Sequence, residues 1–219
     1  MSELVQRLRV LDTCAVSDAL DALGLPGPLL GLQCVTTLKR MAGAAVTVKL
    51  GADDGRASRR HLCTAAVEAA GADTVIVIEH GGRTDVAGWG GILSQAAVQR
   101  GVEGVVIDGA CRDADESREL NFPVFARGAV PVTARGRIIE LEWDTIISVA
   151  GRSVAPGDLV LADGSGVVVV PIASAEAVVA KAETIAARER LMAADIKAGR
   201  PVSEVMGASY EDMLKGNPS

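Results

Sequence analysis

Residues 88–116, GWGGILSQAAVQRGVEGVVIDGACRDADE, leave this chain few ways to fold. Ile92, Leu93, Ala96, Ala97 and Arg100 fall at helical spacing, and Gly101 supplies a C-terminal stop. Gly104–Asp108 (GVVID) is an apolar run of strand length, the pattern of a buried strand, and it ends in Asp108-Gly109, a turn signal. The loop that follows delivers Arg112 and Asp113 side by side.

The same segment predicts a site for a small anion. Gly88, Gly90 and Gly91 let backbone approach a ligand without side-chain interference. The start of a helix carries unpaired N–H groups and partial positive charge, which favours a carboxylate or phosphate. If the strand runs back beside the helix, Arg112 returns to the same mouth, and its planar fork suits a carboxylate held at two points. Asp113 adds a hard oxygen ligand of the type that Mg²⁺ or Mn²⁺ takes while keeping several waters.

The rest of the chain reads as one α/β domain with a mixed sheet. Residues 4–23 form one or two helices, with Asp12 or Thr13 as a cap and Gly24 and Pro26 as a stop. Ala44–Leu50 is a strand, Arg59–Ala70 a helix, and Asp73–Glu79 a central buried strand. A loop from His80 through Arg83 and Asp85 then leads to Trp89. Asp113–Leu120 is a helix and Asn121–Ala126 a strand. Half-exposed strands occupy residues 130–150, and Asp158–Ala162 pairs with Gly166–Val170 as a hairpin. Ser174 caps a long helix to about Ala198, the start of a C-terminal helical extension spanning about 174–219.

Composition narrows the function. Of 219 residues 49% are hydrophobic but only 2% aromatic, so the core is built from Ala, Val and Gly. The net charge of −6 argues against a nucleic-acid partner, which needs clustered Lys and Arg. The one basic grouping is Arg56, Arg59, Arg60 and His61, read as a solvated face. No apolar run reaches the roughly 20 residues of a membrane span. The N-terminus lacks a signal-peptide core, and Cys14, Cys34, Cys63 and Cys111 are scattered without a C-x-x-C, so a cytoplasmic setting with free thiols is expected. His80 reads as a satisfied loop residue and Cys111 as a bystander thiol.

Several motifs resemble the RraA-like family, which includes class II 4-hydroxy-4-methyl-2-oxoglutarate aldolases and regulators of ribonuclease E activity. They are Thr13–Leu20 (TCAVSDAL), the glycine turn with ILSQAA, RGVEGVVIDG, the CRDADE loop, Phe122–Gly128 (FPVFARG) and Pro156–Pro171. The resemblance implies a swivelling ββα-sandwich, usually a homotrimer or hexamer with sites between subunits. It implies cleavage of a C–C bond in a 2-oxo acid, by retro-aldol reaction or oxaloacetate decarboxylation, to give pyruvate with Mg²⁺ or Mn²⁺ as cofactor. Gly90, Gly91, Ile92, Leu93 and Arg112 would contact substrate, and Asp113 would anchor the metal, mostly through water.

One position departs from the pattern of the active aldolases. They often carry Asp or Glu where Gly91 stands, a carboxylate that positions a water for proton transfer. With glycine there, the proton shuttle falls to Asp85, Asp108 or Glu189, the last on the long helix of the same or a neighbouring subunit. The alternatives are a non-catalytic regulator that binds a ribonuclease, and a related metal-dependent enzyme such as a dehydratase. A methyltransferase is disfavoured, because no glycine-rich cofactor fingerprint with a following acidic residue is present.

Overall fold

A computed structural model describes residues 3–55 and 61–207. In chain order the elements are α1 (Glu3–Arg9), α2 (Thr13–Ala22), β1 (Gln33–Cys34), β2 (Met41–Ala52), α3 (Thr64–Ala69), β3 (Thr74–Ala87), α4 (Gly91–Gln99), β4 (Gly104–Cys111), α5 (Ala114–Glu119), β5 (Val124–Ala126), β6 (Gly128–Ala129), β7 (Ile138–Trp143), β8 (Ile147–Val149), β9 (Arg152–Val154), β10 (Leu159–Asp163), β11 (Gly166–Val170), α6 (Ala175–Lys197) and α7 (Val202–Val205).

The main sheet runs β1-β5-β4-β3-β2-β10-β11, with β6 beside β4 and β7 beside β2. Strands β2, β3, β4 and β5 are parallel neighbours; β1, β7, β10 and β11 pair antiparallel. The sheet is mixed, as expected, and it nearly closes on itself. Leu29 N–H donates to Val167 O at 2.9 Å and Val169 N–H to Gly27 O at 3.1 Å, so the segment leading into β1 ties β11 toward β5.

Strand β4 is buried along its whole length because it has a core on each face. Val105 and Ile107 pack with Ile76, Ile78, Leu93 and Ala97 under α3 and α4. Val106 points to the other side, where it meets Val75, Val77, Phe125 and the β8–β9 hairpin residues Ile147, Val149 and Val154. A third core lies between α1, α2, α6 and the β10–β11 pair, through Leu8, Val16, Leu20, Val178 and Ile185. This double burial explains the unbroken apolar runs of β3 and β4, and each fully buried Val or Ile contributes about 1.5–3 kcal/mol.

Several boundaries differ from the expectations. The Asp108-Gly109 pair makes no turn: β4 continues to Cys111. Gly109 is needed for a different reason, since a Cβ there would overlap His80 Cδ2 and lie 2.8 Å from Arg83 O. The glycine allows β3 to press against β4. Strand β3 likewise does not end at Glu79 but runs to Ala87, absorbing Gly81 (φ +63°) and Gly82 (φ +71°) as irregularities in its register with β4. The residues 4–23 divide into two helices, and Asp12 is the cap: its Oδ1 accepts from Ala15 N–H at 2.8 Å. Ser174 precedes α6 without a side-chain capping bond. The expected helix from Arg59 is ordered as helix only at Thr64–Ala69, and Arg56, Arg59 and Arg60 lie outside the described residues.

Candidate active site

The mouth is built where α4 and α5 begin. Gly90 is the N-cap of α4 in extended conformation, and its carbonyl accepts from Ser94 N–H at 3.1 Å. Strand β4 brings the chain back beside this turn: Gly88 N–H donates to Ala110 O at 2.9 Å and Arg112 N–H to Trp89 O at 2.9 Å. Arg112 and Asp113 therefore leave the strand opposite Gly90 and Gly91. Asp113 has a left-handed backbone (φ 55°), a conformation that aspartate tolerates better than most residues. That bend turns its carboxylate onto the start of α4.

The side chains meet there. Asp113 Oδ2 accepts from Gly91 N–H at 3.0 Å. Arg112 Nε donates to both Asp113 oxygens, at 3.1 and 3.2 Å. The Arg112 and Asp113 side chains retain 38% and 27% of their exposure, so both can reach a ligand. A Cβ on Gly90 would stand 2.9 Å from Asp113 Oδ2 and 3.2 Å from Arg112 Cγ, which fixes that position as glycine while the pair keeps this geometry. Of the expected contact residues, Leu93 is buried in the core under α4, and Ile92, expected on the apolar face, is 86% exposed at the mouth.

A buried hydrogen-bonded chain locks the two helices together. Trp89 Nε1 donates to Ser94 Oγ at 2.8 Å, and Ser94 Oγ shares a 2.8 Å hydrogen bond with Ser117 Oγ. Trp89 also stacks near Phe122, with ring centroids 6.4 Å apart. Ser94 and Ser117 carried no sequence signal of this role, because only the fold shows that they face one another. Glu116, the last residue of the CRDADE motif and given no role there, lies over Gly91: a Cβ there would overlap Glu116 Oε2 and lie 2.8 Å from its Cδ.

Of the three carboxylates considered as proton shuttles, Asp85 and Asp108 have other partners within the protomer. Asp85 is held by Arg83 through bonds of 3.0 and 2.7 Å, and this pairing lowers its pKa to about 2, which makes it a weak base. Asp108 is buried, accepting from Arg127 Nε at 2.5 Å and from Ala150 N–H at 2.9 Å. Glu189 lies on α6, where burial and the nearby charges of Asp12 and Asp18 raise its pKa. His80 is buried within β3 and its Nε2 donates to Val86 O at 2.9 Å; burial lowers its pKa. The Cys111 thiol is pushed up to about 11, chiefly by burial.

The donor set suits a hard cation that keeps most of its waters. Among the described residues no three His, Cys, Asp or Glu side chains converge as a metal cage. Asp113 instead offers part-exposed oxygens at the mouth, the arrangement in which one or two carboxylates and a substrate share a hydrated Mg²⁺. A cavity of about 280 Å³ lies elsewhere, between the start of α2, residues 28–32 and the β10–β11 turn, and does not include Arg112 or Asp113.

The mixed, nearly closed sheet is a fold that comparison with known proteins also finds. The profile described as RraA-like, Aldolase/RraA, matches residues 13–169, and the chain belongs to this family. It is 32% identical over 208 residues to a protein of Halalkalibacterium halodurans named "Putative 4-hydroxy-4-methyl-2-oxoglutarate aldolase", covering 93% of this chain and 95% of that one. It is 29% identical over 204 residues to Protein DlpA of Legionella pneumophila, covering 93% of this chain but spanning only 33% of DlpA's length. A crystal structure of an uncharacterized protein from Pseudomonas syringae superposes with a TM-score of 0.86 at 31% identity, covering 94% of this chain and 98% of that one. Streptomyces coelicolor RraAS2, described as an unusual member of the RNase ES inhibitor RraA protein family, superposes with a TM-score of 0.78 at 26% identity, covering 87% and 96%.

Proposed function

We propose that the protein is a divalent-metal-dependent lyase that cleaves a C–C bond of a small 2-oxo acid to give pyruvate. The observation that carries this reading is the Asp113 carboxylate bonded at once to the first N–H of α4 and to Arg112. Asp113 occupies Nε, which leaves the Nη edge of Arg112 to meet a substrate carboxylate at two points. The first-turn N–H groups at Gly91–Leu93 add the partial positive charge of a helix start. Asp113 would hold Mg²⁺ or Mn²⁺, mostly through water. The cation supplies charge stabilisation at the keto oxygen. Arg112 and the α4 turn fix the substrate so that the bond to be broken lies in line with the carbonyl π-system. The electron pair of that bond becomes the enolate of pyruvate, which a proton then quenches at C3. The reading includes a homotrimer or hexamer, supported by exposed Ile92 at the mouth and by exposed Leu191 and Ile196 on the outer half of α6. It includes neither a nucleic-acid nor a membrane partner. No helix among the described residues is long and apolar enough to cross a membrane.

Purified protein given oxaloacetate or 4-hydroxy-4-methyl-2-oxoglutarate with Mg²⁺ or Mn²⁺ is expected to release pyruvate above the metal-only blank; no excess pyruvate rejects the lyase. A second reading, a non-catalytic regulator that binds a ribonuclease, is favoured by Gly91, which brings no acidic side chain to the mouth, and by the likeness to RraAS2. Retention of an E-type ribonuclease on immobilised protein that releases no pyruvate would select it.

A further inference from the structure

We propose that Glu116 carries the proton in this site, an assignment that rests on the lyase reading. Glu116 sits in the first turn of α5, three residues after Asp113. Its carboxylate fills the space that a side chain at position 91 would need: a Cβ on Gly91 would overlap Glu116 Oε2 and lie 2.8 Å from Glu116 Cδ and 3.2 Å from Asp113 Cβ. A carboxylate therefore stands against the first turn of α4, next to Asp113, although α4 itself brings none. The backbone that carries it is fixed, because the neighbouring Ser117 is buried and bonded to Ser94 of α4 at 2.8 Å. Glu116 itself is exposed at the mouth. By contrast, Asp85 and Asp108 are each bonded to an arginine. The glycine and the glutamate form a reciprocal pair, in which the absence of a side chain at 91 admits the carboxylate from α5.

The proton balance is complete without an oxidant or reductant. In cleavage of a 4-hydroxy-2-oxo acid, Glu116 takes the proton of the C4 hydroxyl as the C3–C4 bond breaks. The C4 oxygen becomes a carbonyl, and the bonding electrons become the pyruvate enolate. Glu116 then returns the proton to C3, which gives pyruvate and restores the carboxylate. The same group, acting on pyruvate alone, removes a C3 proton and replaces it from solvent.

Proton NMR of the pyruvate methyl group in D2O with Mg²⁺, read beside calorimetric binding of oxalate with Mg²⁺, tests the assignment. Wild type is expected to bind oxalate and to exchange the methyl protons. Glu116→Gln, an isosteric change at an exposed side chain, is expected to bind oxalate as wild type does and to slow exchange about 100-fold or more. The double variant Gly91→Asp with Glu116→Ala, which moves the carboxylate to the other helix, is expected to recover part of the lost exchange. Exchange by Glu116→Gln at the wild-type rate overturns the assignment, as does a wild type that binds oxalate without exchanging pyruvate protons; both leave the site reading standing. A wild type that does not bind oxalate overturns the site reading and the assignment together.

Discussion

Arg112 and Asp113 are adjacent in sequence, yet their roles diverge through backbone geometry. Asp113 bends into the left-handed region and turns back onto Gly91, while Arg112 remains tied to Trp89 through its backbone and keeps part of its guanidinium exposed. A lysine at 112 would keep the charge but lose both the fork and the Nε bond to Asp113. Arg112→Lys is therefore expected to raise the KM for oxaloacetate about tenfold or more, a loss of at least about 1.4 kcal/mol, with little change in melting temperature; steady-state kinetics beside a thermal melt check both. At this scale the sequence was informative where residue type alone dictates chemistry, as with the glycines, the arginine and the aspartate. The roles of Glu116, Ser94 and Ser117 were not legible, even where the residue belongs to a quoted motif, because a carboxylate or hydroxyl on a short helix reads as a solvated face until its neighbour across the fold is known.

The β3–β4 pair shows the same division between elements. Their apolar cores were legible, because a strand buried on both faces must be apolar at nearly every position. Their ends were not. Asp108-Gly109 and His80-Gly81-Gly82 carry the letters of turns, but here glycine serves close strand contact at 109 and positive φ at 81 and 82. His80 is caught in this contact, buried against Gly109 and bonded to Val86 O. Burial holds its folded-state pKa below 6.5. The folded protein thus binds fewer protons here than the unfolded chain. The associated stability is fully present above the unfolded pKa and is lost as pH falls below about 6.5 toward the folded value. Urea midpoints are expected to decline as pH falls below about 6.5, and His80→Gln to flatten that decline. An equal slope in the two proteins would show that another group is responsible.

For the molecule as a whole, the RraA-like motifs spread from Thr13 to Pro171 made the fold legible, and the profile match over residues 13–169 follows the same span. The near closure of the sheet was not legible. It depends on Gly27, Pro28 and Leu29 pairing with β11, a contact between distant segments that leaves no periodic trace. Nor does the sequence separate apolar residues meant for the core from those left outside it. Ile92 and Leu93 are neighbours in the same helix, one exposed and one buried.

A crystal structure of the protein grown with oxalate and Mg²⁺ tests the central claim most directly. Oxalate is expected to be held by the Arg112 guanidinium and the free N–H groups of Ile92 and Leu93, with the cation between oxalate and Asp113. Oxalate and cation bound elsewhere, for instance in the cavity beside α2, with Arg112 and Asp113 touching neither, would contradict it.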